Sequence, residues 1–536
     1  MDQRTWRRRC VTPHDRTLAE MSEHPESAPI ATSPAGAFRG AGLAHVDVFT
    51  GIRYAEPPAG VRRWRDPIAA AAVQGEVDAT RFGPIAPQQL NPALNLGPDA
   101  SQDEDCLFLN VWRPSGDSDT SLPVMVWLHG GAYTFGSSSQ PIYDGAALVR
   151  TGDVVVVTVN YRIGALGFLD LSSFSTPDVP FDGNLALKDI LLALHWVQRN
   201  IDAFGGDPDR VTVFGESAGG GLVTTLLATP SAEGLFHRAI AESSPATSMY
   251  GPARAREVAQ KFLHEAGVDA AALATVRDLP VDEVVRATMA VFAAVPAEAP
   301  GTLAFAPVVD GDLVPEAPAS VLKAGRGLPI PLMIGTNRDE ASFFRFMKSP
   351  LMPVTEADIE RMFADMKAEN PEVELPSRQA VLGSYEGVRQ RVLGLGIARD
   401  IAFRLPTIWI AEGHSAVAPV WLYRFDHATR AMDLIGIGAT HGAELAYVWG
   451  NLDTAPKDPT FWLGGRRPAE RISERMRVRW TAFASGASPD VTDAAHWPAY
   501  EPEARETLVI DTEDRTVADL DAALRAGWGD RVLAFP

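Results

Sequence analysis

The sequence predicts an α/β protein built on a large, mostly parallel sheet with helices on both faces. Three observations carry that reading: continuous apolar runs of strand length recur along the chain, they end in Gly-rich or polar turns, and segments with helical spacing follow them. Leu122-Pro-Val-Met-Val-Trp-Leu128 stops at His129-Gly130-Gly131, and Asp153-Val-Val-Val-Val-Thr-Val159 stops at Asn160-Tyr161-Arg162. Both read as strands buried on two faces. From Leu185 to Arg199 the apolar residues Leu187, Ile190, Leu191, Leu194, Trp196 and Val197 recur at helical spacing, as expected of a crossover helix. Arg210-Val-Thr-Val-Phe214, Ile330-Pro-Leu-Met-Ile334 and Val420-Trp-Leu-Tyr-Arg-Phe425 read as further strands. In such sheets ligand chemistry sits beyond the carboxyl ends of the strands.

Composition narrows the function. The 536 residues are 46% hydrophobic, 22% charged and 8% aromatic, which excludes wholesale disorder and fibrous architectures. With 48 Lys+Arg against 68 Asp+Glu the net charge is −20, so the surface repels phosphate backbones and nucleic acid is not an expected partner. No apolar run approaches the ~18 residues of a membrane-spanning helix. Residues 1–35 are Arg, Glu, Ser, Pro and Ala without period and read as a flexible N-terminal arm; 36–536 reads as one large domain with insertions. Trp6-Arg7-Arg8-Arg9 is followed by no apolar stretch of a secretion signal, which makes the cytoplasm the expected location. Only Cys10 and Cys106 occur, so no disulfide framework is expected. Neither H-E-x-x-H nor G-x-x-x-x-G-K-[ST] is present, and no metal or cofactor is implied.

Gly215-Glu216-Ser217-Ala218-Gly219 fits G-x-S-x-G, with a strand before it and a helix-like Gly220–Thr229 after it. A serine on a tight strand-to-helix turn projects its hydroxyl above the sheet, and flanking glycines let neighbouring backbone approach. An ester-cleaving serine also needs donors for the oxyanion of a tetrahedral intermediate. His129-Gly130-Gly131-Ala132-Tyr133 follows a strand and offers small residues whose amides can approach a substrate, so Gly131, Ala132 and Ala218, the residue after the nucleophile, are the candidate N–H donors. His129 itself reads as a structural residue or a support behind the site rather than as a base.

The acid and the base follow the serine in chain order. Among the later histidines His441, in the small-residue loop Ala439-Thr-His-Gly-Ala-Glu444, is favoured over His427, which closes a strand directly. For the acid, Gly335-Thr-Asn-Arg-Asp-Glu340 follows a strand, but Asp339 and Glu340 are adjacent and spacing does not choose between them. Asp310 and Asp312 read as an Asp-Gly turn.

Together these residues resemble the type-B carboxylesterase family, which includes cholinesterases and bacterial p-nitrobenzyl esterases. The likeness runs from about Gly36 to Tyr500 and includes Phe49-Thr-Gly-Ile-Arg-Tyr-Ala-Glu-Pro-Pro58, Glu104-Asp-Cys-Leu-Phe-Leu-Asn-Val-Trp112, Gly215–Gly220, Asn337-Arg-Asp-Glu340 and His441-Gly-Ala-Glu444. The resemblance implies an α/β-hydrolase fold whose helical insertions, Arg254–Ala294 and Thr355–Leu405 here, wall an active-site gorge. It implies Ser217 as nucleophile, His441 as base and Glu340 as acid. Glu216 is implied as a support for His441 or for an active-site water, and Ser243 as a partner of the acid. Phe292, Phe343 and Phe344 are candidates for apolar lining. The partner of Cys106 in secreted relatives is replaced by Ala86, and Gln88–Asp105 holds no tryptophan, which makes choline esters doubtful substrates. The expected activity is hydrolysis of uncharged small to medium carboxylic esters through an acyl-serine. Carbamate, amide or bulky xenobiotic ester hydrolysis by the same triad is the alternative. A non-catalytic binding protein is a third reading, against which every required position is filled.

Overall fold

The computed structural model describes residues 28–533 apart from 92–93, 99, 117–119, 345–359, 362, 365–366, 369–374, 386–389, 454–458 and 492–493. In chain order its strands are β1 (Ile30–Ser33), β2 (Gly36–Arg39), β3 (Ala41–Leu43), β4 (Val46–Arg53), β5 (Glu76–Asp78), β6 (Phe108–Pro114), β7 (Leu122–Leu128), β8 (Val155–Val159), β9 (Gly206–Glu216), β10 (Arg238–Glu242), β11 (Leu332–Asn337), β12 (Val420–Phe425), β13 (Glu506–Ile510) and β14 (Arg515–Ala518). β1, β2 and β5 form a small sheet, and the rest form one 11-stranded sheet ordered β14-β13-β12-β11-β10-β9-β7-β8-β6-β4-β3.

From β7 to β13 the strands of this sheet are all parallel. Its margins, β14 on one side and β6, β4 and β3 on the other, pair antiparallel. The expected mostly parallel sheet is therefore present, with margins the reading did not include. Connection length explains the outermost pairs, since the short turns between β13 and β14 and between β3 and β4 can return the chain only antiparallel, whereas a parallel neighbour needs a long crossover.

Alternation explains why the central strands read as unbroken apolar runs. Val124, Val126 and Leu128 of β7 point into one helical layer with Leu187, Ile190 and Leu194, while Met125 and Trp127 point into the opposite layer with Trp449, Met476 and Trp480. Both faces are dry, so neither half of the alternation is polar. Trp127 packs against Phe214 and Trp449 at ring separations of 4.8 and 5.2 Å.

The sequence places Ile30–Ser33 in a flexible arm, but these residues form β1. Ile30–Ser33 pairs antiparallel with Gly36–Arg39, and Ala31 is buried in the main core, which offsets the ordering entropy of that stretch. Residues 1–27, with Cys10, lie outside the described residues. The first insertion is helical, with helices at Pro252–Glu265 and Val281–Glu298. The second lies partly outside the described residues, and its later part runs as a helix Gln390–Arg399, a π-helical turn Asp400–Arg404 and a helix Leu405–His414. Among the described residues no helix is long and apolar enough to cross a membrane.

Candidate active site

Ser217 is the single residue between the end of β9 and the helix Ala218–Leu227, and its backbone sits at φ 56°, ψ −123°. A non-glycine residue persists there only where its surroundings over-determine it. Here they do so by contact. A Cβ at Gly219 would lie 2.0 Å from the Leu128 carbonyl oxygen, and one at Gly215 would lie 2.6 Å from the Gly219 carbonyl carbon. Only glycine lets the helix start this close to β7 and β9. The Ser217 N–H then donates to the Glu242 carbonyl at 2.9 Å, which ties the turn to the end of β10.

The other chemistry-bearing groups stand beyond the carboxyl ends of β11 and β12. His441 Nδ1 lies 2.6 Å from Glu340 Oε2, and its Nε2 lies 2.8 Å from Ser217 Oγ. With the Nδ1 proton donated to the carboxylate, Nε2 is left to accept from the serine hydroxyl. Glu340 is fully buried, and its Oε1 accepts from the Asn337 N–H at 2.6 Å and the Ser243 hydroxyl at 2.6 Å. These two bonds hold the carboxylate with Oε2 aimed at the imidazole. The rival residues are engaged elsewhere. Asp339 Oδ2 accepts from Ala439 N–H at 3.2 Å, and Asp310 accepts from Asp312 N–H, Val314 N–H and the Asn184 amide. His427 is buried beside Tyr447, with Nδ1 3.3 Å from Asp511.

Glu216 is buried with its Oε1 3.3 Å from His441 Nε2, so the imidazole faces a carboxylate at each nitrogen. Burial works against a charge on His441, but Glu216, Glu340 and the hydrogen bond to Glu340 outweigh it and raise its pKa to about 9. Glu216 is pushed up to about 7 by burial, against the pull of His441. Behind them Glu444 is raised well above its ordinary value by burial and by neighbouring glutamates, and its Oε2 accepts from the Asn337 amide at 2.5 Å. Glu242 is raised to about 8 by burial, with Oε1 accepting from Trp480 Nε1 at 2.6 Å.

Gly130 runs against the nucleophile: a Cβ there would lie 3.2 Å from Ser217 Cβ. The next three residues all have left-handed backbone, with φ 122° at Gly131, 52° at Ala132 and 57° at Tyr133. Among the described residues nothing accepts from the N–H of Gly131 or Ala132. Ala218 opens its helix, so its N–H lacks an intrahelical partner and points with the positive end of the helix. His129 is structural as read: it stacks on Tyr161 at 4.4 Å, Nδ1 lies 2.9 Å from the Gly130 carbonyl, and burial lowers its pKa to about 4.

Two rings flank His441, Phe403 at 4.6 Å and Phe344 at 5.5 Å. Phe292 packs instead on Phe135 at 5.3 Å, and the Phe343 N–H donates to Thr440 Oγ1 at 3.1 Å. Asn337, Glu444, Phe403 and Arg404, whose Nη2 donates to the Asn337 carbonyl at 2.8 Å, received no role from sequence reasoning. Asn337 and Glu444 carry a sequence signal, since each belongs to a motif of the resemblance, three residues before Glu340 and three after His441; Phe403 and Arg404 carry none.

A parallel-centred sheet with a strained serine at one strand end, facing an imidazole and a buried carboxylate from later strand ends, defines a serine hydrolase of the α/β-hydrolase fold. The chain belongs to the carboxylesterase family, which it matches over residues 27–526, and is a carboxylic ester hydrolase. It is 36% identical to the para-nitrobenzyl esterase of Bacillus subtilis (strain 168) over 90% of this chain and 95% of that one. It is 32% identical to the phenmedipham hydrolase of Pseudarthrobacter oxydans over 91% of this chain and 96% of that one. A solved para-nitrobenzyl (PNB) esterase structure superposes with a TM-score of 0.81 at 35% identity, covering 94% of this chain and 100% of that one.

Proposed function

We propose that the protein hydrolyses uncharged carboxylic esters of small to medium size through an acyl-serine at Ser217. The observation that carries this reading is the continuous relay from Glu340 Oε2 through both ring nitrogens of His441 to Ser217 Oγ, with hydrogen-bonding distances of 2.6 and 2.8 Å. His441 Nε2 takes the hydroxyl proton as Ser217 Oγ attacks the ester carbonyl carbon, and the N–H groups of Gly131, Ala132 and Ala218 receive the oxyanion. The proton on Nε2 then passes to the departing alkoxide, which leaves as the alcohol. Water attacks the acyl-serine with His441 again the base, releasing the carboxylic acid and restoring Ser217. Glu340 orients the imidazole and stabilises its charged form, Ser243 holds Glu340, and Glu216 offers a second carboxylate to the imidazolium.

The rings of Phe344 and Phe403 beside His441 suit apolar acyl or alcohol groups rather than charged ones. A cytoplasmic location belongs to the same reading, supported by the buried, free thiol of Cys106. The test is turnover of p-nitrophenyl esters of graded acyl length beside matched carbamates and anilides, with wild type and Ser217→Ala. Short and medium esters are expected to be turned over fastest by the wild type and not by the variant. A preference for carbamates or anilides would overturn the substrate assignment, and near wild-type activity in Ser217→Ala would overturn the mechanism.

A further inference from the structure

The loop that supplies two of the three proposed oxyanion donors is strained. Gly131, Ala132, Tyr133 and Gly136 all carry positive φ, the last at 102°. Its own bonds close it: the Gly131 carbonyl accepts from Thr134 N–H at 3.0 Å and Phe135 N–H at 2.8 Å. Gly136 returns onto the start of the loop, since a Cβ there would lie 2.5 Å from the Gly130 carbonyl oxygen and 2.7 Å from His129 Nδ1. Whatever fixes Gly136 therefore fixes Gly130 and Gly131, and Gly130 abuts Ser217. Strained backbone of this kind needs outside bonds to hold it.

One outside bond reaches Tyr133, whose carbonyl accepts from the Gly164 N–H at 2.7 Å; at Gly136 the outside bonds come from Gln88, 48 residues away in sequence. Its Nε2 donates to the Gly136 carbonyl at 2.9 Å, and its Oε1 accepts from the Gly136 N–H at 2.8 Å, so one side-chain amide pairs with both backbone groups of one residue. A primary amide alone among side chains offers a donor and an acceptor side by side in this way at neutral pH. Gln88 is 6% exposed and is itself held. Its N–H donates to Gln102 Oε1 at 2.8 Å, and Nε2 also reaches the Ala86 carbonyl at 3.1 Å.

We infer that Gln88 is a positioning residue for the oxyanion loop, clamping Gly136 so that the amides of Gly131 and Ala132 stay aimed at the tetrahedral intermediate. The inference rests on the assignment of those amides as donors. Without the clamp the buried N–H and C=O of Gly136 lose their partners, and the loop relaxes away from a geometry that is useful only in the transition state.

The experiment compares the full-length wild type with Gln88→Met, which keeps the side chain's length and removes both hydrogen-bonding atoms. An aryl trifluoromethyl ketone adds Ser217 to form a hemiketal oxyanion, and the corresponding methyl ketone does so far less, so the ratio of their inhibition constants reports the hole. In Gln88→Met, kcat is expected to fall about 10- to 100-fold with KM little changed, and the trifluoromethyl preference to fall by a similar factor. The acid limb of the pH profile, set at His441, is expected to stay in place. A variant that keeps the wild-type kcat and preference overturns the clamp. If Gln88→Met does not fold, Gln102→Leu, which frees the Gln88 backbone at an exposed position, is expected to lower the preference in the same direction, and an unchanged preference overturns the clamp. A wild type with no trifluoromethyl preference overturns the oxyanion assignment itself and the clamp with it.

Discussion

Asp339 and Glu340 are consecutive, yet their carboxylates hold different parts of the site. Glu340 Oε2 lies 2.6 Å from the His441 ring, and Asp339 Oδ2 accepts from the Ala439 N–H at 3.2 Å, two residues before that ring. One carboxylate faces the imidazole and the other fastens the loop that carries it. The backbone repeats the fastening, with Asp339 N–H donating to the Ala439 carbonyl at 2.8 Å.

Substitution separates the two. Glu340→Gln keeps the shape but removes the charge opposite the imidazolium, and kcat is expected to fall by about 10⁴-fold. Asp339→Ala loses one hydrogen bond in the His441 loop, so stability is expected to drop by about 1–2 kcal/mol while kcat stays within about tenfold. Steady-state kinetics and thermal melting of both variants check this, and the opposite ranking in kcat would reassign the acid.

The position of Glu216 sets a pH dependence. Burial alone would depress the His441 pKa, and Glu216 and Glu340 together raise it to about 9. The base must be neutral to accept the Ser217 proton, so activity falls on the acid side of that titration. Glu216→Gln removes one of the two carboxylates, and the acid limb of kcat/KM is expected to move to lower pH. A limb that stays in place or moves up would show that Glu216 does not act on the imidazole.

Glu242 makes a prediction about stability instead. Burial raises its pKa from 4.5 to about 8, so across that window the folded protein retains a proton that the unfolded chain has released. Stability from this group falls as pH rises from the lower value to the upper and is level above it. Glu242→Gln has no proton to lose and keeps a carbonyl for Trp480 Nε1. Its melting temperature relative to wild type is expected to rise between about pH 5 and pH 8. Calorimetry at several pH values checks this, and a difference that shrinks over the window contradicts it.

Much of this site was legible in the sequence because its parts are local. The turn at Ser217 needs Gly215 and Gly219 within two residues, and close approach to β7 leaves no substitute, so the motif and the geometry are one constraint. The strand runs were equally plain, since burial on both faces leaves them without polar alternation. The choice between Asp339 and Glu340 could not be read from spacing, because which carboxylate meets His441 depends on a loop a hundred residues on. The resemblance to carboxylesterases proposed Glu340, and the bonds from Asn337 and Ser243 give the physical reason for its orientation. Gln88 and Phe403 left no local pattern, because each acts through a contact between segments distant in sequence. Ile30–Ser33 is not legible as a strand, because a four-residue strand held by one hairpin has too little sequence to show a period.

The most direct measurement is the intact mass of the protein after exposure to excess diisopropyl fluorophosphate, followed by peptide mapping, in the wild type and in His441→Ala. The wild type is expected to gain a single diisopropylphosphoryl group on Ser217 with loss of all esterase activity, and His441→Ala to label orders of magnitude more slowly. Full inactivation with the group on another residue, or esterase activity surviving complete labelling of Ser217, would contradict the account.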